Sequence, residues 1–153
     1  MALTKIRDAA LPADSVLQIV SAELAKDGTV NTTSTSYVDT GLSATITPSA
    51  TGNKIKVTVV SNIRGKAASG QDLDWYQRLL VGATELDEVR MKGDNMGKLG
   101  DTIYVPISLV HSYIYTTTST SAITFKTQVK AAASGEVRYR ENDTFIILEE
   151  IAQ

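Results

Sequence analysis

The segment KIKVTVVSNIRG (Lys54–Gly65) alternates apolar and polar residues with a period of two, placing Ile55, Val57 and Val59 on one side and Lys56 and Thr58 on the other. A helix returns its side chains to one face every three to four residues and cannot bury such a pattern, whereas a strand with one wet face can. The same period runs through AITFKTQVKA (Ala122–Ala131), where Ile123, Phe125, Thr127 and Val129 share a side. It also runs through the second half of NTTSTSYVDTGLSATITPS (Asn31–Ser49), where Leu42, Ala44 and Ile46 oppose Ser43, Thr45 and Thr47 until Pro48 ends the run. Turn chemistry separates the runs: Asp27-Gly28, ATGN (Ala50–Asn53), a tight hairpin at Val81-Gly82-Ala83 and the glycine-dense KGDNMGKLGD (Lys92–Asp101).

Further strands are expected at SVLQIVSAEL (Ser15–Leu24), LDWYQRLLVG (Leu73–Gly82), TELDEVRM (Thr84–Met91), TIYVPISLVHSYIY (Thr102–Tyr115), VRYREND (Val137–Asp143) and TFIILEEIAQ (Thr144–Gln153). Pro106 marks an edge, a bulge or a strand start. The first and last of these segments are apolar on both faces, as befits a strand inside a sandwich or beneath a neighbouring subunit. About eight strands without crossover helices predict an all-β fold, an antiparallel β-sandwich of jelly-roll-like kind. Met1–Asp14 has no strand period, so residues 1–14 are expected to form an N-terminal arm and 15–153 the sandwich domain.

A chain of 153 residues with 42% hydrophobic and 21% charged residues is long and apolar enough for one domain with its own core. Its net charge of −2 gives no electrostatic case for nucleic acid. No stretch approaches the roughly 20 apolar residues that span a bilayer, and the first residues lack the apolar centre of a secretory signal. Membrane insertion is therefore not expected, and assembly in a cytoplasm is. Cysteine is absent, which removes disulfides, thiolate metal sites and thiol nucleophiles together.

Residues able to carry chemistry are few. His111, the only histidine, lies within an apolar strand pattern and reads as a packed or interface residue rather than a general base. Asp72 and Asp74 form a D-x-D pair, and Asp94 and Asp101 flank a glycine loop, but neither set has the ligand register of a calcium loop. GDNMGK (Gly93–Lys98) is one residue short of a phosphate loop, and Leu99 stands where the metal-binding hydroxyl belongs. Glu141, Glu149 and Glu150 could suggest an acid/base pair, yet adjacent Glu149 and Glu150 must point to opposite faces of a strand. Trp75, Tyr76, Tyr104, Tyr113, Tyr115 and Tyr139 fit a core or an interface better than a sugar-stacking platform. No enzyme activity, metal or cofactor is expected.

Several segments in order resemble a β-sandwich module of phage tail fibres and other virion surface proteins, particularly those of aquatic phages. They are SVLQIVS (Ser15–Ser21), TSTSYVDTGLSATITPS (Thr33–Ser49), NKIKVTV (Asn53–Val59), RLLVGATEL (Arg78–Leu86), ITFKTQV (Ile123–Val129) and ILEEI (Ile147–Ile151). The resemblance covers most of the chain from Ser15, and Asp87–Asp101 departs from it. It implies a non-enzymatic structural trimer on the virion surface, assembled in the host cytoplasm. With only a short arm before the domain, a capsid-decorating (cement) protein is favoured over a tail-fibre receptor-binding tip. A carbohydrate-binding module is the alternative from another class. The expected partners are two further copies of the chain, the major capsid protein or a tail protein of the same virion, and a host surface glycan. Leu3, Lys5, Ile6, Arg7 and Leu11 in the arm are the expected particle-binding residues. Leu17, Ile19, Ile146 and Leu148 are the expected trimer interface, because apolar character in Ser15–Leu24 and Thr144–Ile151 exceeds what one sandwich face needs.

Overall fold

The computed structural model describes residues 12–24, 30–67, 72–93, 103–132 and 135–153, and all secondary structure among them is β. In chain order the strands are β1 (Val16–Glu23), β2 (Val30–Thr32), β3 (Val38–Ile46), β4 (Lys54–Ala67), β5 (Leu73–Val81), β6 (Thr84–Gly93), β7 (Ile103–Thr116), β8 (Ile123–Ala131) and β9 (Gly135–Ile151). They form two antiparallel sheets. Sheet A has the order β1-β9-β4-β7, with β2 also on β9, and sheet B has the order β3-β8-β5-β6. Leaving aside the three-residue β2, this is the strand order of a jelly roll: the chain changes sheet at nearly every connection. The exception is the β5–β6 hairpin, turned through Gly82 at φ 58°, where a side chain would strain the backbone.

Alternation explains the layering. Leu42 and Ile46 of β3, Ile55, Val57 and Val59 of β4, and Phe125 and Val129 of β8 point between the sheets and are buried. Trp75 and Leu79 of β5 complete the opposing wall with no exposed surface. At roughly 25 cal/mol per Å² of apolar surface, this common core is the main stabilising term.

Two expectations about elements are refined. VRYREND and TFIILEEIAQ are parts of one 17-residue strand, β9, not two strands. Its register against β4 shifts between Val60, opposite Phe145, and Asn62, opposite Arg140. The extra residues let one half of β9 pair with β1 and the other with β2. Second, β2 was not foreseen, being too short for a period to register.

At the start of the domain Asp14 donates its N–H to the Ala152 carbonyl at 3.0 Å, and Ala152 donates to the Ser15 carbonyl at 2.9 Å. The arm residues Leu3, Lys5, Ile6, Arg7 and Leu11 lie outside the described residues, as do the Asp27-Gly28 turn, Asp94 and Asp101.

Candidate functional site

The two sheets turn contrasting faces outward. On sheet B the outer face is built from β3, β8, β5 and β6, and its charges answer one another. Arg78 pairs with Glu85 at 2.9 Å and donates to the Gln128 side-chain carbonyl. Lys126 pairs with Asp39 at 3.1 Å, while Arg90 forks onto both oxygens of Asp74. Hydrogen bonds from Gln128 and Arg90 respectively hold Asp39 and Asp74 below the usual carboxylate range, against the opposing effect of partial burial. Cations also lie over the tyrosines: Arg78 is 3.9 Å and the Lys130 ammonium 4.3 Å from the centre of the Tyr37 ring, and Lys130 is 4.4 Å from that of Tyr76. The Tyr37 hydroxyl donates to Glu88; burial and that carboxylate raise its pKa.

Sheet A differs. Its cross-strand register sets Val16 beside Ile151, Phe145 beside Val60, and Val60 beside Val110. Ile147 lies beside Thr58, with Ser21 and Ser112 completing a polar but uncharged row. An ion pair, Lys56–Glu149 at 2.8 Å, crosses the face between Ile19 and Ile114, and toward the other end of the sheet Glu136 pairs with Lys66 at 3.3 Å and Arg138 at 2.6 Å. All four exposed large hydrophobics of the described residues are here: Val16 at 50%, Ile19 at 63%, Val110 at 64% and Ile114 at 49%. Val16 and Ile19 thus stand on the β1 edge and Val110 and Ile114 on the β7 edge, with the ion pair and the polar row between them; exposed apolar residues grouped on one sheet face mark an interaction surface.

The expected interface residues divide. Ile19 stands at the centre of this apolar edge, and Leu17 sits half-buried where the β1 register shifts between Val16 and Gln18. Ile146 and Leu148 do not belong to it: both are fully buried between the sheets, and this is a correction. The outward side chains of the same strand are Phe145, Ile147 and Ile151, one residue out of phase. The physical reason is Glu150, which shares the inward parity of Ile146 and Leu148 and has no exposed surface. It accepts hydrogen bonds from Gln18, from Asn53 at 2.7 Å, and from the Ser49 backbone N–H and hydroxyl at 2.8 Å each. Burial opposes its charge, but these donors outweigh burial and hold the carboxyl below its ordinary range. Val60, Val110 and Ile114 were missed as surface residues; their period-two spacing carried the signal, since an apolar residue on each face of one strand requires two covered faces.

The remaining polar residues serve the interior. The imidazole Nε2 of His111 lies 2.7 Å from Asp87 of β6, joining the last strands of the two sheets, and its ring is buried as expected of a packed histidine. A second link crosses mid-core: Gln77 donates to Ser61 at 3.0 Å, Ser61 meets the Tyr139 hydroxyl at 2.8 Å, and Thr127 meets Thr40 at 2.6 Å. Glu149 and Glu150 face opposite ways, one on Lys56 and the other inside. Among the described residues, no three of His, Asp and Glu gather in a way that would hold a metal ion.

No family model matches the chain, and no curated protein matches it. Among solved structures, dimeric latent PorU from Porphyromonas gingivalis is similar, with a TM-score of 0.52 at 8% identity. The match covers 93% of this chain but 14% of that one, and it is a likeness of fold alone.

Proposed function

We propose that this chain is a non-enzymatic structural protein of a bacteriophage virion surface, a capsid-decorating β-sandwich that assembles as a homotrimer through the outer face of sheet A. The supporting observation is that every exposed large hydrophobic of the described residues lies on the outer face of sheet A, and none on that of sheet B. The jelly-roll order and the segments that resemble virion-surface modules agree with this reading. Sheet A faces sister copies, sheet B faces solvent, and the arm with Leu3, Lys5, Ile6, Arg7 and Leu11 meets the major capsid protein. A sugar-binding role for the tyrosines is less favoured, because cations already lie over the rings of Tyr37 and Tyr76.

Electron microscopy of particles labelled with an antibody against this chain tests the assignment. Label in a regular lattice over the capsid is the expected result. Label confined to the tail would favour a receptor-binding tip, and label on no particle would end the virion reading.

A further inference from the structure

A sheet edge offers unpaired N–H and C=O groups to any passing strand, and proteins block it with charge, proline and bulges. The edges at β1, β3 and β6 are blocked in this way. β1 carries Glu23 and a register shift after Val16, and β3 carries Asp39 and a shift before Ser43. β6 carries Glu85, Asp87, Glu88, Arg90 and Lys92, with its own shift against β5. β7 is the exception. Its 14 residues, IYVPISLVHSYIYT, contain no Asp, Glu, Lys or Arg. It pairs with β4 in unbroken register from Lys54↔Thr116 to Ala67↔Ile103. Pro106 is its one blocking feature, and it lies near the start.

Beyond Pro106 the outward residues of SLVHSYIYT (Ser108–Thr116) match in both directions about Ser112: β-branched Val110 and Ile114, then the hydroxyl residues Ser108 and Thr116. About a two-fold axis an antiparallel contact sets each position against its mirror position, so here β-branched residues would meet each other and hydroxyls would meet hydroxyls.

We propose that two copies of this chain pair antiparallel along β7, about a two-fold axis at Ser112. In that register Ser112 faces its own equivalent, Val110 faces Ile114 of the second copy, and Ser108 faces Thr116. Pro106 falls opposite position 118, past the end of the strand at Thr116, so its missing N–H leaves the new ladder intact. β7 itself brings no Asp, Glu, Lys or Arg to the seam, and the exposed Val110 and Ile114 each gain an apolar neighbour across it. The pairing uses up both β7 edges, so it closes rather than growing into a fibre. The contact goes beyond the proposed packing of sheet A faces and uses different symmetry, so the two are separable.

The chain has no cysteine, so Ser112→Cys supplies a sole thiol. Directly opposed Cβ atoms lie about 4.5–5.5 Å apart, near the span of a disulfide. Mild oxidation of the full-length Ser112→Cys protein is expected to give a covalent dimer. Ser108→Cys, which faces Thr116 rather than itself, is expected to remain uncross-linked. Light scattering of the wild type should give two chains, or six where the sheet A trimer also forms. Ser112→Lys should halve that mass by opposing like charges, and Val110→Lys combined with Ile114→Glu, added to Ser112→Cys, should still give the covalent dimer because opposite charges face each other across the seam. Absence of the Ser112→Cys dimer, or equal cross-linking of both thiol variants, would overturn the pairing. A wild-type mass of three chains would overturn it while leaving the sheet A reading standing; a mass of one chain would sink both.

Discussion

Glu150 keeps its negative charge in the interior with neutral partners alone: an amide from Gln18, another from Asn53, and two groups of Ser49. These donors sit on β1 and along the β3–β4 connection, so one carboxylate of β9 fastens three stretches of chain. Its folded pKa lies below the ordinary 4.5, meaning that the folded chain holds this proton more weakly than the unfolded one. The stabilisation is therefore complete above pH ~4.5 and fades as pH falls through the lower, folded value. Glu150→Gln is expected to cost about 2–3 kcal/mol at neutral pH, since its amide would confront the donors of Asn53 and Ser49. It should also flatten part of the acid limb of stability, which urea titrations from pH 3 to 7 would resolve; parallel limbs in the two proteins would contradict the assignment. His111 acts by similar means at the other margin. His111→Ala should lose the Asp87 link and ring packing together, a few kcal/mol by thermal unfolding. The burial of His111 could be anticipated from its apolar neighbours, but the burial of Glu150 could not, because its partners lie far away in sequence.

Strand β9 shows how parity decides a role. Leu148 and Ile147 are adjacent aliphatic residues of similar size, yet one lies in the core and the other on the outer face. Leu148→Ala is expected to destabilise folding by about 2–5 kcal/mol through lost transfer energy and the cavity left behind. Ile147→Ser should leave the urea midpoint nearly unchanged and weaken self-association in light scattering. Equal effects of both on the midpoint would show that the outer face has no separate role. The element types were largely legible in the sequence, since Lys54–Gly65 and Ala122–Ala131 have clean alternation and polar outer faces. Thr144–Ile151 does not, because both of its faces are apolar and a register one residue off satisfies the pattern equally well. The join of β9 across Arg140 and Thr144 was hidden for a related reason: a polar interruption reads as a turn unless the pairing strand is known.

At the scale of the whole molecule the sandwich order follows from alternation, while the direction each sheet faces follows from the packing of one sheet on the other. Only the complete fold reveals that the exposed large hydrophobics of the described residues gather on the outer face of sheet A. The arm belongs to this scale too. A chain beginning at Pro12 keeps the Asp14–Ala152 hydrogen bond and is expected to fold with an unchanged melting temperature. It should lose particle binding in a sedimentation assay, whereas undiminished binding would move attachment to the sandwich itself. That same hydrogen bond has an engineering consequence. Residues 14 and 152 are neighbours across one backbone pair, so a short peptide can join them and new termini can be opened between Gly82 and Ala83. Such a circular permutant would preserve the strand neighbours of both sheets, and the joined pair could equally serve as an anchor for inserting this domain into a surface loop of an unrelated scaffold.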